Sequence, residues 1–168
     1  MIRLRPLKIS DCEKMTDWLA QERQFAMWSA GNFKYPLTKE QLVCHAQKLE
    51  TDNSAWSMAA LDEKGTLVGH VMIKKADYEK NSVHLGHIVV DPSKRGMGYG
   101  KEMVTKAVQY AFAVLGVQRV TLNVIEANTS AYACYTSIGF KEEARTEKAY
   151  QYQDEDWTVC LMALQKSL

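Results

Sequence analysis

Between two apolar stretches the sequence runs Val90-Asp91-Pro92-Ser93-Lys94-Arg95-Gly96-Met97-Gly98-Tyr99-Gly100-Lys101. Glycines at alternate positions let bare backbone N–H groups approach a ligand with no Cβ in the way. A helix starting here adds a positive dipole end and unpaired N–H donors, which makes the segment a seat for a phosphate or pyrophosphate. Arg95 and Lys101 add positive charge. Spacing excludes two nucleotide motifs. A P-loop needs GxxxxGK[ST], whereas three residues separate Gly96 from Gly100-Lys101 and Glu102 replaces the magnesium-binding hydroxyl. A dinucleotide fingerprint needs GxGxxG in an N-terminal βαβ unit, whereas this loop reads GxGxG and lies past mid-chain.

Such a loop must be held by a strand before it and a helix after it. Val83 to Val90 reads as a strand, stopped by Asp91-Pro92 because proline cannot continue a ladder. Met103, Val104, Ala107, Val108, Ala111 and Leu115 recur at three and four, predicting a helix with one buried face that Gly116 ends. Arg119 to Ile125 is the next strand, and Asn128 caps a short helix that Gly139 terminates. Upstream, Ile2 to Leu7 alternates like a strand. Ser10 with Glu13, and Thr38 with Gln41, are capping boxes that open helices to Leu19 and to about Glu50. Residues 22–37, with Phe25, Trp28, Phe33 and Tyr35, lack clear periodicity and read as a loop or broken helix exposing aromatics. Strands at 55–61 and 67–74 flank a hairpin turn, and strands at 140–152 and 157–164 close the chain. The order βααβββαβαββ describes an α/β (α+β mixed sheet) domain over residues 1–168, with one long crossover at 83–125.

Composition narrows the function. With 168 residues, 46% hydrophobic and 24% charged, the chain is long enough for one core without staples. Lys plus Arg total 21 against 20 for Asp plus Glu, a balance that argues against nucleic acid or an anionic membrane as partner. Cys12, Cys44, Cys134 and Cys160 are far apart with no CxxC pair, so no metal site or redox motif is expected. No apolar run of about 18 residues is present, and the N-terminus lacks a signal peptide's apolar core, so a cytoplasmic location is expected.

The segment V-x-P-x-x-R-G-x-G-x-G at 90–100 strongly resembles the acyl-CoA loop of the GNAT acetyltransferase superfamily. Residues 128–140 fit that family's N-x-x-A-x-x-x-Y-x-x-x-G-F signature at every defined position. The opening IRLRPL, Trp18-Leu19 and Lys148-Ala149-Tyr150 resemble its ribosomal-protein and spermidine N-acetyltransferase branch. The resemblance implies the GNAT fold, a mostly antiparallel sheet with one parallel strand pair splayed at the acyl-CoA site. It also implies an N-acetyltransferase that moves acetyl from acetyl-CoA, with no metal, to a small-molecule amine or a peptide N-terminus. The alternative is a non-catalytic acyl-CoA-binding sensor. A homodimer is the default assembly.

The resemblance also implies roles. The backbone of Arg95, Gly96, Met97, Gly98, Tyr99, Gly100 and Lys101 would hold the pyrophosphate. Ile88, Val89 and Val90 would pair with the pantetheine arm, in a strand where the family has a bulge that frees an oxyanion donor. Asn128 would reach the thiol region or cap its helix. Tyr135 would protonate the leaving thiolate, with Tyr132 as reserve, since a phenol of pKa about 10 is protonated at pH 7. Many relatives carry a glutamate within 83–87; here His84 or His87 stands as candidate base, His87 being nearer the thioester. Trp28, Tyr35, Glu147 and Tyr150, with Tyr152, are candidates for the acceptor pocket.

Overall fold

The computed structural model describes residues 1–167. Its elements are β1 (Arg3–Pro6), α1 (Cys12–Trp18), α2 (Glu22–Ser29), α3 (Lys39–Leu49), β2 (Trp56–Leu61), β3 (Leu67–Asp77), β4 (Ser82–Val90), α4 (Tyr99–Ala113), β5 (Arg119–Ile125), α5 (Thr129–Ile138), β6 (Lys141–Tyr152) and β7 (Glu155–Gln165). The strands form one sheet in the order β1-β2-β3-β4-β5-β7-β6. Every neighbouring pair is antiparallel except β4 and β5. This is the expected α/β class of mixed sheet.

The sheet is covered on both faces. β3 is buried continuously from Leu67 to Ile73, as a central strand must be. Met103, Val104, Ala107, Val108 and Ala111, the apolar stripe of α4, pack with Val83, Leu85, Val120 and Leu122. On the other face Cys12, Met15, Trp18 and Leu42 of α1 and α3 pack with Ala59, Leu67 and Val89. The crossing of α4 over β3 is close: a Cβ on Gly69 would lie 2.9 Å from Met103 Sδ and 3.0 Å from the Val89 carbonyl. Among the described residues no helix is long and apolar enough to cross a membrane.

Three local expectations are corrected. Residues 22–29 form a regular helix, α2, which buries Phe25, Ala26 and Ser29 and ends with Ala30 in the left-handed region at φ +45°. Its buried stripe is one turn long, too short to register as a period. Ser10 does not cap α1. Ile9–Asp11 form a 3-10 turn, and Asp11, the residue before α1, turns its side chain back to accept from the Lys8 N–H at 2.8 Å and to pair with Arg5 at 2.6 Å, leaving α1 without a side-chain cap. The last strand begins at Glu155, so Gln153 and Asp154 alone make the turn. Thr38, Asn128 and Gly139 cap as expected: the Thr38 hydroxyl accepts from Gln41 N–H, the Asn128 side chain from Ala131 N–H, and Gly139 sits at φ +112°.

Candidate active site

β4 and β5 pair from Ser82–Arg119 to Leu85–Leu122 and then part, although both strands continue. The parting opens a cavity of about 790 Å³. Ile88, Val89 and Val90 form one wall, and Asn128, the cap of α5, with Ala131, Cys134 and Tyr135 along that helix form the opposite one. Lys94, Arg95, Gly96, Gly98 and Lys101 close one end, and Leu19, Arg23, Gln24, Met27 and Trp28 approach from the α1–α2 side.

The glycine loop is shaped as an anion seat. Gly96 and Gly98 adopt φ of +75° and +83°, a region that costs an L-residue about 1–2 kcal/mol. A Cβ on either would meet no atom within 4 Å, so the glycines leave open a space that side chains would narrow. Helix α4 follows directly, and its first ladder bond runs from Glu102 N–H to the Gly98 carbonyl. The amides ahead of it are the helix's open donors. Lys94, Arg95 and Lys101 stand around them.

At the inner end, β4 carries a bulge. Val89 pairs with His70 and Gly86 with Met72, so His87 and Ile88 together oppose Val71 alone. His87 takes φ +46° there. The extra residue reverses the strand's parity: Val83 and Leu85 pack beneath α4, whereas Val89 packs beneath α1 and α3. Without the bulge all three would share a face. Across the gap Tyr135 is 7% exposed, and burial, with Cys134 adding to it, pushes its phenol well above the usual range. It is therefore a protonated donor at any working pH.

The model of the Acetyltransferase (GNAT) family matches residues 13–140. This chain belongs to the GNAT acetyltransferase family. It is 26% identical over 107 residues to spermidine N(1)-acetyltransferase of Vibrio cholerae, spanning 61% of this chain and 61% of that protein. It is 33% identical over 104 residues to mycothiol acetyltransferase of Salinispora tropica, spanning 60% of this chain and 33% of that protein. The chain thus spans less than two thirds of the length of these curated relatives. Among solved structures, spermidine N-acetyltransferase from Vibrio cholerae in complex with CoA and spermine superposes with a TM-score of 0.85 at 22% identity, covering 98% of this chain and 95% of that one. At that identity the likeness is one of fold. GNAT acetyltransferases use acetyl-CoA as donor.

Within this GNAT cavity the structure brings together Ile88, Val89, Val90, Arg95, Gly96, Gly98, Tyr99, Gly100, Lys101, Asn128, Tyr135 and Trp28. Other residues singled out in the sequence lie elsewhere. Met97 is 61% exposed and points off the cavity. Tyr132 donates to Glu142 Oε2 at 2.8 Å and is not among the residues that line the cavity. His84 Nδ1 lies 2.9 Å from Thr121 Oγ1, and burial takes its pKa to about 4. The His87 ring is packed edge-on against Trp28, Phe33 and His45, with centroids 5.1, 5.5 and 5.8 Å apart, and burial beside Lys74 takes its pKa to about 3. Tyr35 donates to the Ala20 carbonyl at 2.8 Å. Tyr150 stacks on Trp157, and Glu147 is exposed on β6.

Several lining residues escaped the sequence reading. Arg23 holds Glu155 through both guanidinium nitrogens and lies over the rings of Tyr152 and Trp157, so α2 is tied to the last hairpin. Gln24 and Met27 extend that wall. The helical spacing of Arg23, Met27 and, one residue on, Gln24 and Trp28 was the signal available once α2 is known to be a helix.

Proposed function

We propose that this protein is an N-acetyltransferase that transfers acetyl from acetyl-CoA to a primary amine by direct attack within a ternary complex. The observation that carries the reading is the juxtaposition, on facing walls of one cavity, of the β4 bulge and the buried phenol of Tyr135, with the glycine loop at the cavity's end. The residues fit the donor. Loop amides and the cations Lys94, Arg95 and Lys101 would hold the pyrophosphate, and the unpaired edge of β4 at Ile88–Val90 would hydrogen-bond the pantetheine amides as an added strand. Asn128 Oδ1 is engaged by Ala131 N–H at 3.3 Å, which leaves its amide nitrogen for the ligand.

The thioester supplies an activated carbonyl. As the amine's lone pair forms the C–N bond, an amide of the bulge stabilises the negative charge gathering on the carbonyl oxygen. The C–S bond then breaks, Tyr135 delivers its proton to the departing sulfur, and the nitrogen gives up its extra proton to solvent. Cys134 lines the same cavity, and burial raises its thiol pKa, which works against its serving as a nucleophile. A pKa of about 3 makes the packed ring of His87 a feeble proton acceptor, so its contribution is to the shape of β4 rather than to deprotonation.

That arrangement selects the acceptor. Arg23, Lys94, Arg95 and Lys101 line the cavity, and among the described residues no carboxylate or histidine does. Glu155 is taken up by Arg23, and Glu126 and Glu142 by Arg145 at 2.5 and 2.6 Å. With no base on the wall, an α-amine of pKa near 8 has about one molecule in ten ready to attack at pH 7, whereas an amine of pKa near 10.4 has roughly one in a few thousand. That lining supports, as acceptor, a single amine of low pKa, such as a peptide N-terminus or an amino-acid-like small molecule, over a polyamine. Four unpaired thiols suit a reducing compartment, the cytoplasm.

The test is CoA-thiol release from acetyl-CoA over a panel of α-amines, short peptides, aminoglycosides and spermidine, beside a control without acceptor. Release with α-amines above the control, and above spermidine, is expected. Silence with acetyl-CoA still bound would make the protein a sensor, and silence without binding would end the acyl-CoA reading.

A further inference from the structure

The β4 bulge is held from behind by a residue outside the cavity wall. His70, on β3, is 4% exposed, and its Nδ1 lies 2.8 Å from the carbonyl oxygen of His87. A carbonyl only accepts, so Nδ1 carries the proton and donates. Burial takes the pKa of His70 to about 4, so the ring is neutral in the working range and keeps that one tautomer. The bond spans 17 residues and falls on the one residue of β4 with a left-handed backbone. A non-glycine residue persists there only where its surroundings over-determine it. Met72, two residues along β3, supplies a second restraint, its sulfur 3.4 Å from His87 Nδ1.

We propose that His70 is a positioning residue for acetyl transfer: its Nδ1–H fixes the His87 carbonyl, and so aims the freed amide of the His87–Ile88 bulge into the cavity as the oxyanion donor. The inference rests on the acetyl-transfer reading. His70 touches neither substrate, and its effect reaches the thioester through one peptide plane. A rotation of that plane re-aims the amide while leaving the pyrophosphate seat untouched, because the glycine loop lies at the other end of the cavity. Loss of the bond should therefore lower kcat and spare the KM for acetyl-CoA.

Three variants separate donor geometry from packing. In His70→Asn the side-chain amide nitrogen stands near the position of Nδ1; in His70→Gln it stands near Nε2 and cannot reach the His87 carbonyl; His70→Leu fills the space with no donor. Gln and Asn are alike in polarity, so the comparison survives even where Leu does not fold. The expected result is a kcat reduced ten- to a hundredfold in Gln and Leu, KM for acetyl-CoA within twofold of wild type, and most of kcat restored in Asn. Difference infrared spectra of bound carbonyl-13C acetyl-CoA add a direct readout: the carbonyl band should move to lower frequency in wild type and Asn, and stay at its solution frequency in Gln. Equal kcat in all variants, or Asn as impaired as Gln, would overturn the proposal. Wild-type protein that neither binds nor turns over acetyl-CoA would instead overturn the acetyl-transfer reading beneath it.

Discussion

Arg95 Nη1 donates to Gln24 Oε1 over 2.9 Å, so the glycine loop and α2 are joined by side chains that both line the cavity. An exposed hydrogen bond of this kind is worth about 0.5–1.5 kcal/mol. Arg95 must exchange it for a phosphate contact, in which both partners are charged and which is stronger. Gln24→Ala should leave the Kd for CoA unchanged or tighten it by up to about fivefold. Arg95→Ala should weaken it by about tenfold, with a shallower salt dependence. Calorimetric titration with CoA at two ionic strengths checks both, and equal weakening in the two variants would contradict the exchange.

Tyr135→Phe removes one oxygen from a buried ring that packs against Phe140 at a centroid distance of 6.2 Å. Packing is preserved, so the melting temperature should change little. Losing a general acid costs about 10²–10⁴-fold in rate. The expected outcome is a kcat reduced at least a hundredfold, with the Kd for CoA within twofold of wild type. A sensor would have no turnover to lose.

The loop glycines should show two separable costs. Gly98→Ala should lower stability by about 1 kcal/mol through its left-handed backbone. Gly98→Asn should recover most of that, because asparagine tolerates this region. Both should bind CoA more weakly, since each puts a Cβ where none meets protein atoms in the free chain. Denaturant melts and CoA titrations on the two variants make the comparison.

Acid stability should be set first by histidines. His70 and His84 have folded pKa values of about 4 and His87 of about 3, all below the unfolded value near 6.5. Between those limits the unfolded chain binds more protons, so stability is complete above about pH 6.5 and falls as pH drops towards 4. Each histidine steepens the fall by up to about 1.4 kcal/mol per pH unit. Melting temperature followed from pH 7.5 to 4.5 should decline, and His70→Asn should decline less steeply.

The cavity lining from the glycine loop and α5 was legible because those residues are contiguous in sequence. Gly96, Gly98 and Gly100 span one loop and the first turn of α4, and Asn128 and Tyr135 are the cap and an inner residue of one short helix, so local spacing carried them. The rest depends on contacts between distant segments. His70 meets His87 only through β3–β4 pairing, and no local pattern marks a histidine as the brace of a bulge. The same bulge turned His87 into the aromatic cluster. In β6 the three residues between Thr146 and Tyr150 face one residue of β7, Thr158, with Lys148 at φ +50°, so alternation could not tell which side Glu147 and Tyr150 present. Helix α2, which brings Arg23, Gln24, Met27 and Trp28 to the cavity, was hidden by its length of eight residues.

In the proposed mechanism acetyl passes directly from the thioester to the amine in the cavity between β4 and α5. The most direct measurement is a rapid-quench single turnover with carbonyl-labelled acetyl-CoA and the best amine from the panel. Direct transfer requires label to appear in acetylated amine at the rate CoA thiol is released, with none on protein at any time. Label held on the protein, mapping to Cys134 and chased into product, would contradict it.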